Sequence, residues 1–142
     1  MSRVINADSP GAQRQRIRRT IAEALRHLMQ KQSLDDETKD LAALIYYSLR
    51  ELSEGIDRSA AAWEKRNYFV KADRFRRDWE WIDGATEEMS TLIIAEQWVR
   101  LPVVLARLVP RFSDINIKQN TRSPDVWRNR YQQMLEKELS LS

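Results

Sequence analysis

The chain has 142 residues, 42% of them hydrophobic and 32% charged, with 24 Lys and Arg against 21 Asp and Glu for a net charge of +3. This is the composition of one ordinary globular domain that can bury a core without staples. With no Cys, a single His and three Gly, it excludes a disulfide framework, the familiar zinc sites, a Cys–His nucleophile pair, a phosphate loop and a dinucleotide fingerprint.

The first expected element follows a segment, residues 1–8, that lacks periodicity and reads as an extended tail. Ser9 is placed as an N-cap and Pro10 at the first helical position, where its missing N–H costs nothing. The helix is expected over about 10–31. Ile17, Ile21, Ala24, Leu25 and Leu28 form its apolar stripe, and Arg16, Arg19, Glu23, Arg26 and Gln30 lie opposite. Arg14, Arg16, Arg18 and Arg19 crowd its N-terminal half, where the helix dipole disfavours cations. Such a cluster calls for an acidic partner: nucleic acid, another subunit, or the acidic helix that follows in the same chain.

A second helix is expected over about 34–54. Ser33 is read as its cap and Asp35, Asp36 and Glu37 as first-turn anions. Asp36 and Asp40 stand four apart, a spacing open to a hard cation, but capping accounts for the cluster and no metal site is expected. The link between the two helices is short, so they should pack antiparallel. Gly55 is read as a break. The alternative is an unbroken helix, because Leu52, Ile56, Ala60 and Trp63 keep helical spacing.

The third element, about 58–95, is expected to be one long helix running through Gly84. On a helical wheel Trp63, Val70 and Trp81 fall on one side, and Tyr68, Ala72, Phe75, Trp79 and Ile82 on the other. A helix apolar on two sides is buried between neighbours or shared with a second chain. Pairs four apart, Asp73–Arg77, Arg74–Asp78 and Arg76–Glu80, are expected to form a solvated ladder. The aromatics interleaved with Lys65, Arg66, Lys71, Arg74, Arg76 and Arg77 also fit a platform for stacking single-stranded bases. The plainer reading makes the rings core and lays the arginine stems over them.

A fourth helix is expected over about 97–109, with Pro102 in its first turns and Pro110 ending it. Residues 111–123 read as an irregular connector carrying two apolar pegs, Ile115 and Ile117. Ser123-Pro124 opens a last helix over about 124–139, with Val126, Trp127, Tyr131, Met134 and Leu135 inward. The fold class is therefore all-α, a single-domain antiparallel bundle of four to five helices spanning 1–142.

Charge is zoned along this bundle. Residues 1–31 carry seven positive and two negative side chains, 32–63 three and seven, and 107–130 six and two. From these zones and the doubly apolar third helix the chain reads as a non-enzymatic interaction or scaffold protein. It is expected to self-associate through its complementary zones, with Trp63, Tyr68, Phe75, Trp79 and Trp81 as interface or core aromatics. The alternative is nucleic-acid binding, with Arg14, Arg16, Arg18, Arg19 and Arg26 on phosphates and Arg122, Arg128 and Arg130 extending the patch; the pI near 9.4 and the excess of Arg over Lys favour it. The loop before the last helix is too long for a helix-turn-helix. No catalytic residue, cofactor or metal is expected. The longest uncharged apolar stretch, Leu41–Leu49, falls far short of the roughly 20 residues that cross a membrane. With no apolar run after Met1, the chain reads as cytoplasmic.

Overall fold

In the computed structural model residues 9–141 are described, with side chains to residue 138; the expected tail over 1–8 lies outside them. The described residues form six α-helices: α1 (Pro10–Met29), α2 (Asp36–Lys65), α3 (Phe69–Asp78), α4 (Trp81–Ile94), α5 (Leu101–Leu108) and α6 (Arg130–Leu141). Short 3-10 turns lie at Trp98–Arg100, Val109–Phe112 and Pro124–Val126. The chain is an all-α bundle, as its periodicity predicts.

α2 is the shaft of the bundle. Its 30 residues span about 45 Å, and α1, α3, α4 and α6 all pack against it. Leu41, Ile45, Leu49, Leu52, Ile56 and Ala60 are buried along one line at helical spacing. That line explains why α2 does not break at Gly55. A helix-interior glycine costs about 0.5–1 kcal/mol relative to Ala, whereas burying a side chain such as Ile56 contributes about 1.5–3 kcal/mol. Early α1 residues meet late α2 residues across one cavity, and His27 of late α1 lies near Glu37 of early α2, so the two helices run antiparallel as expected. Ser9 caps α1 by accepting from the Ala12 N–H at 3.1 Å, with Pro10 just inside. The cap of α2 is Asp35 rather than Ser33: it accepts from the Thr38 N–H at 2.8 Å, and Asp36 and Glu37 fill the first turn.

The expected long third helix does not exist. Its start belongs to α2, and the chain reverses at Arg66–Tyr68. Asn67 takes a left-handed φ of 65°. The Tyr68 N–H donates to the Trp63 carbonyl and the Asn67 N–H to the Glu64 carbonyl, a helix stop for which Asn is one of the few suitable side chains. α3 therefore folds back on α2. The Trp63 and Phe75 rings, assigned by a single helix to opposite sides, meet edge to face with centroids 4.9 Å apart. Tyr68, Phe69 and Val70 stand in water at the corner, 52%, 59% and 73% exposed, so the sandwiched rod of aromatics is overturned.

The ladder is reduced to Asp73–Arg77; Arg76 instead reaches α2 at Asp57 and Glu64, both at 3.1 Å. α4 does run through Gly84. It ends at Ile94, and Glu96, two residues on, takes φ 54° in a second stop of the same kind. Pro102 lies in the first turn of α5 and Pro110 in the 3-10 turn after it. Ile115 and Ile117 pack against the core as pegs. The Ser123-Pro124 start yields only a 3-10 turn. α6 begins at Arg130 after Asn129 (φ 66°), with Asp40 of α2 accepting from the Asn129 and Tyr131 N–H groups at 3.2 and 3.0 Å. Asp40 thus caps a helix about ninety residues further along the chain.

Candidate functional site

The arginines of α1 lie along the edge where residues 111–123 cross the helix. Arg18 makes a forked contact to Asp114 at 2.6 and 2.9 Å and donates to the Arg111 carbonyl at 3.1 Å. Arg19 donates to Glu23 at 2.8 Å and to the Gln119 carbonyl at 3.2 Å. Arg26 reaches the Asn120 side chain at 3.3 Å. Arg122 comes back from the connector to the Arg16 carbonyl, Thr20 and Glu23. The acidic partner sought for the cluster is thus mainly the protein's own connector and Glu23, not the acidic second helix.

Glu23, placed by the wheel on the outer side of α1, is buried, its side chain 4% exposed. It accepts from the Thr121 N–H at 2.6 Å, the Thr121 hydroxyl at 2.6 Å and the Arg122 N–H at 2.9 Å, besides Arg19. Burial pushes its carboxyl up. The bonds from Thr121, Arg19 and Arg122 outweigh that and hold it at about 2. His27, one turn further along α1, stands edge-on to Trp127, near Glu37.

The remaining predicted arginines divide: Arg14 and Arg128 stand apart, while Arg16 and Arg130 share one cavity with Arg122. Arg14 lies over the Phe75 ring, 4.9 Å from its centroid. Arg128 pairs with Asp125. Arg130 lies over Tyr47 and bonds the Val126 carbonyl. Arg16, Arg122 and Arg130 line a cavity of about 480 Å³ between α1, α2 and α6. Among the aromatics, Trp79 and Trp81 stack on each other at 5.6 Å, and Trp81 meets buried Phe112 edge-on at 6.0 Å, which makes both structural.

Two surfaces stand out beyond these. One is the α2–α3 corner, where exposed Tyr68 and Phe69 are close in sequence to Lys65, Arg66 and Arg74, cations that form no ion pair among the described residues. The other was missed by sequence reasoning. α5 buries Leu101, Val104, Leu105 and Leu108 on one side, yet Pro102, Val103 and Ala106 face water on the other, continued by Val99 and Val109. Val99 is 88% exposed and Val103 56%. The signal was present: Leu101–Leu108 carries one charge in eight residues, too apolar for a helix with a single buried side.

Among the described residues no group of three or more His, Asp or Glu is placed to hold a metal ion, and no helix is long and apolar enough to cross a membrane. Comparison with protein-family models, curated proteins and solved structures finds no match to this chain.

Proposed function

We propose that the protein is a non-enzymatic helical interaction protein that pairs with a second copy of itself through the outer side of α5. The observation that carries this reading is the apolar strip from Val99 to Val109 left in water on a helix whose opposite side is already core. Much of the zoned charge is engaged within the chain, by the connector on α1 and by Arg76 and Lys31 on the acids of α2. Association therefore rests on apolar contact more than on basic and acidic zones. A second copy suits the strip because the cations beside it, Arg100 and Arg107, both bridge Glu88 of their own chain at 3.6 and 2.8 Å. Glu88 offsets one of these two cations, so each face keeps one net positive charge at its edge, and two faces meet in a self-complementary two-fold contact. The strip is about 15 Å long, which fits a weak, concentration-dependent dimer rather than an obligate one. A chain without cysteine suits a reducing compartment such as the cytoplasm.

A second reading, binding of single-stranded nucleic acid, is favoured by Tyr68 and Phe69 lying in water at a corner whose sequence also carries Lys65, Arg66 and Arg74. Rings and cations in that arrangement suit stacked bases and their phosphates. With Arg18, Arg19 and Arg26 tied to the connector, this corner has a better claim than α1.

One sizing experiment tests both. Light scattering of the untagged protein across a concentration series is expected to rise from one chain toward two. Val103→Glu, an exposed position, is expected to keep the fold and hold the mass at one chain. A monomer at every concentration would sink the first reading. If ultraviolet absorbance reveals co-purified nucleic acid, and a labelled strand is shifted in a way that salt and Tyr68→Ala with Phe69→Ala both abolish, the second reading replaces it.

A further inference from the structure

A cavity of about 210 Å³ opens between the start of α1 and the second half of α2. Ile17, Leu52, Ile56 and Ala62 give it an apolar lining, and Gly55 contributes bare backbone to its wall. Two features of this wall have no explanation inside the fold.

The first is Gly55. Its backbone is helical, so no left-handed conformation requires glycine there. A side chain would fit as well: an added Cβ would meet only the Arg58 Nη2 atom, at 3.7 Å, an ordinary contact. Glycine weakens a helix interior, and here it secures no turn and no close packing of the protein's own elements. What it does is keep open the space over the α2 backbone.

The second is Arg14. Its guanidinium is half-buried and lies over the Phe75 ring, and it makes no hydrogen bond or ion pair with a described residue. Burial first, and then the nearby Arg18 charge, lower its pKa. Stacking on an aromatic engages the flat face of a guanidinium and leaves its in-plane N–H edge available, the edge that matches a carboxylate fork. The titratable groups on the wall are Arg14, Arg58 and Glu51, two cations and one anion, which leaves room for a single negative charge.

We propose that this cavity is a binding site for a small monocarboxylate with an apolar body, its carboxylate forked on Arg14 and its body lying over Gly55 among Ile17, Leu52, Ile56 and Ala62. The site is independent of the α5 strip. An apolar pocket with one oriented polar anchor is the usual build of a small-molecule site, and the volume suits a short aliphatic or a single-ring acid.

The test is a titration of the labelled full chain with hexanoate and with benzoate, followed by the amide resonances of Gly55 and Ala62, with hexanol and hexylamine as matched probes. Hexanoate or benzoate is expected to move both resonances, and hexanol and hexylamine to bind at least about tenfold more weakly. Arg14→Gln is expected to weaken hexanoate by about tenfold while leaving hexanol unchanged. Gly55→Ala is expected to raise the melting temperature and weaken the acid, because it strengthens the helix while filling the site. Equal response to hexanoate and hexanol, no movement of the Gly55 amide at the solubility limit of both acids, or full affinity in Arg14→Gln would each overturn the proposal.

Discussion

Glu23 is a carboxylate almost removed from water that nevertheless stays ionised, because two backbone amides, a hydroxyl and two guanidinium groups converge on it. A buried ion is costly unless hydrogen bonds replace its hydration, and removing it strands its partners. Glu23→Gln is therefore expected to cost about 3 kcal/mol, read as a fall in melting temperature of about 10 °C. The pH dependence follows from the direction of the shift. Glu23 sits at about 2 when folded against an ordinary 4.5. Its contribution is complete above about pH 4.5 and is lost as pH falls toward 2. Hydrogen bonding to Lys31 lowers Asp35 and Glu37, and hydrogen bonding to Arg18 lowers Asp114, so these act in the same sense. The melting temperature should hold from pH 7 to about 5 and then drop, less steeply in Glu23→Gln. None of this was legible at position 23. A wheel assigns a glutamate beside arginines to the solvent side, and only the path of residues 119–122 over that side reverses the assignment.

The elements whose beginnings carry a side-chain cap were legible: Ser9 with Pro10, and the acid cluster at Asp35–Glu37. The ends were not, because this protein stops two helices without glycine. Asn67 left a usable clue, since Asn tolerates a left-handed backbone, yet the helical spacing of the aromatics on either side of it spoke for continuation. Glu96 left none. It holds φ 54° at the end of α4, a conformation that costs a side chain other than glycine about 1–2 kcal/mol. Glu96→Gly, after allowance for the extra freedom of the unfolded chain, is expected to stabilise by about 0.5–1 kcal/mol. Calorimetry should register this as a rise of about 3 °C. A fall instead would mean that the Glu96 side chain stabilises that corner.

For the whole molecule, one cluster of buried side chains draws on α1, α2, α4, α5, α6 and Phe112. Far-ultraviolet and near-ultraviolet melting curves are accordingly expected to coincide, with Trp127 and the helices lost in one transition. Two separated transitions would divide the chain into independent units. The count of apolar stripes was enough to predict the bundle. Which stripes face each other was not predictable, because the deciding contacts, Asp40 to α6 and Glu23 to Thr121, join residues 89 to 98 positions apart.

That separation bears on how the chain is made. At about 5–20 residues per second, a ribosome that has just added Arg26 needs roughly 5–20 s more before it adds Arg122. Throughout that interval the cationic edge of the nascent first helix is bare, in an environment crowded with RNA. The contacts that cover that edge in the finished protein can form only once residues 111–122 have been made.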